Sequence, residues 1–249
     1  MNKSTVKDHA STHLSIFASK NLAASLPSRL AAKRPAFTLS EVLITLGIIG
    51  VVAALTLPTL VANYQKQVAA NRLKKAYSVV SNALNMAKAE YGDMSSWEVS
   101  KEGANKIISE AYIDKYFLPY FDGYRKVFWG TFSQYYNSSV YTGQGGYFVE
   151  LKDGTTLTFA FGTYLDEDGN YAFLNQPYIH VDINGKSKPN VIGRDRFKFV
   201  IWGGKVIASI TYQNLSNSSV INGCKAQNDD ACTELIFRNG WNFPDDYPW

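Results

Sequence analysis

The sequence predicts an α+β protein in which a long N-terminal helix, membrane-spanning over its first half, packs on a small antiparallel β-sheet. Three observations carry this. From Val42 to Ala62 there are 21 consecutive residues without a charge, rich in Ile, Leu, Val and Ala. From Tyr64 to Tyr91 apolar or small residues recur three or four apart, the helical period. Beyond Gly92 the pattern turns to alternation, in runs separated by Gly, Asp and Asn.

A helix over Val42–Ala62 rises about 31 Å at 1.5 Å per residue, which matches the hydrocarbon core of a bilayer. Buried core helices seldom stay uniformly apolar for that length. The periodic positions that follow are Tyr64, Val68, Leu73, Ala76, Tyr77, Val80, Leu84, Ala87 and Tyr91, with Lys66, Arg72, Lys75, Asn82 and Lys88 between them. One helix is therefore expected over 37–91, with Gly92 as its stop. Pro58 removes one intrahelical hydrogen bond and Gly47 and Gly50 weaken their turns, so a bend or local melting is expected near Pro58.

A short helix is expected from Lys101 to about Tyr116, with Ile107, Ile108, Ala111 and Tyr112 on one side. Tyr147–Leu151, a turn at Lys152-Asp153-Gly154 and Thr155–Phe161 read as a hairpin. Gln176–Asp182 reads as a strand, and Phe197–Trp202, Gly203-Gly204 and Lys205–Ile210 as a second hairpin. The chain thus divides into a basic segment 1–36 outside the fold, the helix 37–91 with its apolar part 42–62, and an α+β head 92–249.

Charge and histidine content narrow the function. Residues 1–36 carry Lys3, Lys7, Lys20, Arg29, Lys33 and Arg34 against Asp8; the rest has 19 Lys and Arg against 20 Asp and Glu. A head without a basic surplus argues against nucleic acid as a specific ligand. Of three histidines, His9 and His13 lie in the basic segment, leaving His180 in a strand-like run without a nucleophile elbow. Two cysteines and one body histidine do not make a His-rich or Cys-rich metal site. The expectation is a protein that is not an enzyme and needs no cofactor.

A basic segment before an apolar run admits three readings. A secretory signal peptide has a shorter apolar core and a small-x-small cleavage site, and Leu60-Val61-Ala62 lacks that form. A plain uncleaved anchor fits the length, with the basic residues on the cytoplasmic side. It gives no reason for Glu41 at the head of the run, where an acid is costly without a partner.

The third reading accounts for Glu41. Lys33-Arg34-Pro35-Ala36-Phe37-Thr38-Leu39-Ser40-Glu41, with the apolar helix after it, resembles the N-terminus of type IV pilins and type II secretion pseudopilins. The resemblance implies a leader cut by prepilin peptidase between Ala36 and Phe37, then N-methylation of Phe37. The family's residue before the cut is Gly, and this chain has Ala36. Glu41 becomes the fifth mature residue and Pro58 the twenty-second, matching the family's acid and proline.

What the resemblance implies is structural: a pilin-like fold and a subunit of a type IV pilus or related filament. Its partners would be other pilin subunits, prepilin peptidase and an inner-membrane assembly platform, with the head outside the cytoplasm. Glu41 would neutralise the N-terminal ammonium of an adjacent subunit; an interfacial acid facing headgroups or water is the other reading. The alternatives are a type II secretion pseudopilin and, from a different class, a membrane-anchored module that binds glycans.

Cys224 and Cys232 enclose seven residues, which suits a disulfide closing a surface loop, with two free thiols as the alternative. Many pilins close a C-terminal loop in this way. Asp229 or Asp230 is expected to cap a helix over Thr233–Arg238 that stops at Asn239-Gly240. Asp182, Asn184 and Asp195 are candidate calcium ligands, as is Asp166–Asn170; turn formation is the ordinary role of such residues beside Gly. Trp241, Phe243, Tyr247 and Trp249, with Tyr135, Tyr136 and Tyr141, could stack glycans or single-stranded DNA or could pack the core.

Overall fold

The computed structural model describes residues 37–98, 105–136, 146–160, 163–165, 171–173 and 177–249. The leader with Ala36, the start of the expected 101–116 helix, Tyr141 and the Asp166–Asn170 loop lie outside the described residues. The chain divides into two compact units between Gly50 and Val51. That boundary falls inside the long helix and not at Gly92, so the helix from Val51 onward groups with the head.

Helix α1 runs from Leu39 to Tyr91, 53 residues. It passes through Gly47, Gly50 and Pro58 without a break, so the local melting expected there is not observed. Pro58 withholds a single N–H, that for the Ala54 carbonyl, and the strong helix formers on either side keep the remaining ladder intact. Gly92 ends the helix as expected: it takes φ +80°, which a Cβ would strain, and its N–H donates to the Lys88 carbonyl at 2.9 Å.

From Val51 on, α1 buries Ala69, Ala70, Leu73, Ala76, Val80, Ala83, Leu84 and Ala87. The spacing is the one read from sequence, and the buried stripe is largely alanine. Tyr64, expected on this face, is 67% exposed because it precedes the first buried position, Ala69. The polar flanks of the helix reach neighbouring loops. Arg72 Nη1 donates to the Ile183 carbonyl at 3.2 Å, Lys75 pairs with Asp153 at 2.6 Å, and Lys88 Nζ donates to the Gly204 carbonyl at 3.3 Å.

The head contains helix α2 (Asn105–Tyr116), strand β1 (Tyr124–Gly130), a short α3 (Phe132–Tyr136), β2 (Gly146–Leu151) and β3 (Thr156–Ala160). A small hairpin follows, β4 (Thr163–Leu165) with β5 (Tyr171–Phe173). Then come β6 (Tyr178–Asp182), β7 (Arg196–Trp202), β8 (Lys205–Ile207), α4 (Asn217–Lys225) and α5 (Asp229–Arg238). Six strands form one antiparallel sheet in the order β1-β2-β3-β6-β7-β8, with β4 and β5 paired apart from it. The second expected hairpin forms, but β8 ends at Ile207 and not at Ile210.

Alternation sorts the sheet into two faces. Val149, Leu157, Phe159, Ile179, Val181, Phe197, Phe199 and Ile201 join the main core with the α1 stripe. Register sets Leu157 opposite Val181 and Phe159 opposite Ile179. On the other face Phe148 clusters with Phe132 and Tyr135 of α3, and His180 and Lys198 point the same way as Phe148 by alternation.

The C-terminal helices complete the core. Ser216 caps α4 through a bond from Ser219 N, and Asn228 caps α5 through a bond from Ala231 N. The expected caps, Asp229 and Asp230, instead occupy the first turn of α5, where a carboxylate complements the helix dipole. Helix α5 lies along β7, whose Lys198 N–H donates to Thr233 Oγ1 at 3.1 Å beyond the short partner β8.

Candidate functional site

The N-terminal half of α1 carries the apolar run. No side chain from Leu39 to Val61 is buried, and Leu43, Leu46, Ile48, Ile49, Val51, Leu55 and Leu60 are each at least 60% exposed. Two of its hydroxyls bond within the helix: Thr45 Oγ1 donates to the Val42 carbonyl at 3.0 Å and Thr56 Oγ1 to the Val52 carbonyl at 2.9 Å. A helix that keeps its backbone bonds internal, save at Pro58, suits a lipid environment. It is one helix long and apolar enough to cross a membrane, with a mean hydropathy of 2.2 in its best window.

At the head of this run Thr38 and Glu41 bond reciprocally. Glu41 N–H donates to Thr38 Oγ1 at 3.2 Å, and Glu41 Oε2 accepts from Thr38 N–H at 2.9 Å and from its hydroxyl at 3.0 Å. This is a capping box, and it supplies acceptors for two of the N–H groups that a helix start leaves unsatisfied. Thr38 was not singled out in the sequence reading, although Thr-x-x-Glu before an apolar run is the signature of such a box. Both bonds fall on Oε2, which leaves Oε1 for another donor. The box does not involve the Phe37 amine, so it is compatible with a chain that starts at Phe37.

Cys224 and Cys232 form a disulfide with Cα atoms 4.6 Å apart. The bridge closes the expected loop, whose Lys225, Ala226 and Gln227 are exposed, but its sulfurs lie in the core. It joins the last turn of α4 to the first turn of α5, and both residues are buried, at 1% and 0% exposure. Helix α4 was not expected, because Asn217-Ser218-Ser219 reads as loop. Gly193, at φ +80°, abuts this bridge: a Cβ there would lie 2.7 Å from Cys232 Sγ and 2.8 Å from the Tyr247 hydroxyl.

Asp182, Asn184 and Asp195 do come together, but the atoms around the two carboxylates are largely donors. Asp195 accepts from Asn190 N–H at 2.7 Å, Val191 N–H at 2.5 Å and Asn184 Nδ2 at 3.2 Å. Asp182 accepts from the Tyr136 hydroxyl at 2.7 Å and Asn184 N–H at 3.1 Å. The arrangement staples the loop between β6 and β7. Burial pushes the Asp182 carboxyl up to about 7 and raises Asp195 as well. Among the described residues no group of three or more His, Cys, Asp or Glu is placed to hold a metal.

His180 meets Asp229, Nδ1 to Oδ2 at 3.1 Å, beside Lys198, which approaches Asp229 at 3.4 Å and Asp230 at 3.0 Å. Burial alone would raise Asp229; the His180 hydrogen bond and the charges of His180 and Lys198 outweigh it and hold Asp229 well below the usual carboxylate range. This cluster ties α5 to β6 and β7. The aromatic rings are likewise spent on packing. Tyr135 stacks on Phe148 at 4.3 Å, Trp241 meets Tyr77 at 4.9 Å, and the buried Tyr247 donates to the Gly193 carbonyl at 2.6 Å.

The fold defines an α+β head whose N-terminal helix is long and apolar enough to cross a membrane. Residues 59–249 match the family described as "Family of unknown function (DUF6613)", and the chain belongs to that family. No curated protein and no solved structure matches the chain. The family match begins beside Pro58, so it covers the head and the half of α1 with the buried stripe, and leaves out most of the apolar run.

Proposed function

We propose that this protein is a leader-processed, single-span, pilin-like subunit of a type IV pilus or related filament. In this reading prepilin peptidase cuts between Ala36 and Phe37, and Val42–Ala62 holds the subunit in the inner membrane with the head outside the cytoplasm. The apolar half of α1 then passes from lipid to the helices of neighbouring subunits as the fibre grows. The role is structural and uses no chemistry beyond assembly.

One observation carries the reading: a continuous helix that is apolar and exposed on every side in one half, and buried along one face in the other. So large an apolar surface is unfavourable in water and needs lipid or protein to cover it. The capping box adds support, because it holds Glu41 at the helix start while leaving Oε1 for the ammonium of an adjacent Phe37. The buried disulfide supports the pilus over the major pseudopilins, which commonly lack one.

The test separates the two roles of Glu41. Thr38→Ala removes the local cap, at about 1 kcal/mol of helix stability, and should still yield fibres. Glu41→Ala should leave a processed subunit whose fibre yield collapses. Equal fibre yields from the two variants would reduce Glu41 to a helix cap and remove its assembly role.

A further inference from the structure

The stretch of α1 from Tyr64 to Arg72, the loop between β6 and β7, and Trp249 enclose a cleft of about 260 Å³. Arg72, Lys188 and Arg194 line it, along with Tyr64 and Trp249. Lys66 stands at its rim, with Nζ 5.9 Å from the Trp249 ring. The Arg194 guanidinium lies 5.1 Å from the same ring, and its Nη2 donates to Gln65 Oε1 at 3.3 Å. Loop, ring and helix therefore meet at the level of Gln65 and Lys66.

We propose that this cleft binds the phosphate of an anionic phospholipid headgroup; the proposal rests on Val42–Ala62 spanning the bilayer. Two independent observations point there. The first is charge. Elsewhere in the head, Lys75, Lys115, Lys198 and Arg238 each pair with a carboxylate. Among the described residues no carboxylate lies within salt-bridge distance of Lys66, Arg72, Lys188 or Arg194. The one acidic side chain in the lining, Asp195, is occupied by Asn190 N–H, Val191 N–H and Asn184 Nδ2. Four cations gathered around one carboxylate, itself held by backbone and amide donors, repel one another, and a phosphate relieves that while accepting hydrogen bonds from guanidinium.

The second observation is depth. Tyr64 and Lys66 follow Ala62 by two and four residues, which is within about 6 Å along a helix axis. That places them in the headgroup layer when Ala62 ends the span. Tyr64, 67% exposed, and Trp249 are the side chains that favour this layer, with an apolar ring and a polar tip.

The test uses the full chain in proteoliposomes of equimolar phosphatidylglycerol and phosphatidylcholine, with bromine carried on one lipid or the other. Quenching of Trp249 is taken as the difference between wild type and Trp249→Phe. Brominated phosphatidylglycerol should be enriched at Trp249 roughly fivefold or more over brominated phosphatidylcholine, the factor carried by one cation at an anionic surface. The preference should vanish in Lys188→Gln/Arg194→Gln and survive in Lys188→Arg/Arg194→Lys. Equal quenching by the two lipids overturns the proposal, and so does loss of the preference on adding soluble glycerol phosphate, which would make the site one for free phosphate. Alkaline carbonate extraction of the same vesicles separates the failures. Retained protein with equal quenching overturns the headgroup site alone, whereas released protein overturns the membrane span and the site with it.

Discussion

The two halves of α1 obey the same helical geometry and differ in what their side chains are for. Between Ala69 and Ala87 the buried positions fall on one stripe, and five of the eight are alanine. Between Leu39 and Val61 large Leu, Ile and Val side chains point in all directions and none is buried. The first pattern is that of a helix docked on a sheet; the second belongs to a helix that expects apolar surroundings on every side. Periodicity marks the one and its absence marks the other.

Substitution in each half should give opposite results. Leu73, at 0% exposure, is held between α1 and the sheet. Leu73→Ala should destabilise the head by about 2–5 kcal/mol, lowering its melting temperature by roughly 5–15 °C. Leu46→Ala, at a site 60% exposed, should leave that melting temperature unchanged within about 0.5 kcal/mol. A matching loss from Leu46→Ala would mean that the apolar half packs against the head after all.

A smaller effect is expected at the far end of the chain. Cys224 and Cys232 are bridged at a sequence separation of 8, for which chain entropy gives about 2–3 kcal/mol. Paired Cys→Ala variants should melt lower by roughly 5–10 °C, because they also vacate a buried site between α4 and α5. Stability unaffected by the loss would show that Asn228, Ser216 and the apolar contacts alone hold these helices.

A last effect concerns pH and is spread over several units of it. Burial raises the Asp182 carboxyl from 3.8 to about 7, against the hydrogen bonds from Tyr136 and Asn184 that pull it down. A raised carboxyl makes the folded state hold its proton more tightly than the unfolded chain does. Its contribution is therefore full below about pH 4 and is lost as pH rises through about 7, with a ceiling of about 4 kcal/mol. Thermal melts should show stability falling over that window, and Asp182→Asn should flatten the fall. An unchanged slope would place the pH dependence elsewhere.

Much of this was legible in the sequence because it lay in strong local patterns. The long helix, its stop at Gly92, the two hairpins and the stripe at Leu73, Ala76, Val80, Leu84 and Ala87 follow from period and punctuation. What escaped depended on partners distant in sequence. Strand β1 is interrupted by Arg125-Lys126 and a bulge, and is a strand because β2 pairs with it. Helix α4 begins with Asn217-Ser218-Ser219, poor helix formers held by the Ser216 cap and the bridge to α5. The loop Asp182–Asp195 was visible as an acidic turn, but that its carboxylates face N–H donors could be learned only from the fold. The box between Thr38 and Glu41 is legible in Thr-x-x-Glu ahead of an apolar run.

The central claim is that the chain matures at Phe37 and that the exposed half of α1 remains part of it. The direct measurement is intact mass and N-terminal sequence of the protein taken from native membranes or sheared surface fibres. The account predicts a chain that begins at N-methylated Phe37 and runs to Trp249. A chain that keeps residues 1–36 would make it an ordinary anchor, and one that begins near Asn63 would make it a secreted head without the helix half on which the assembly role depends.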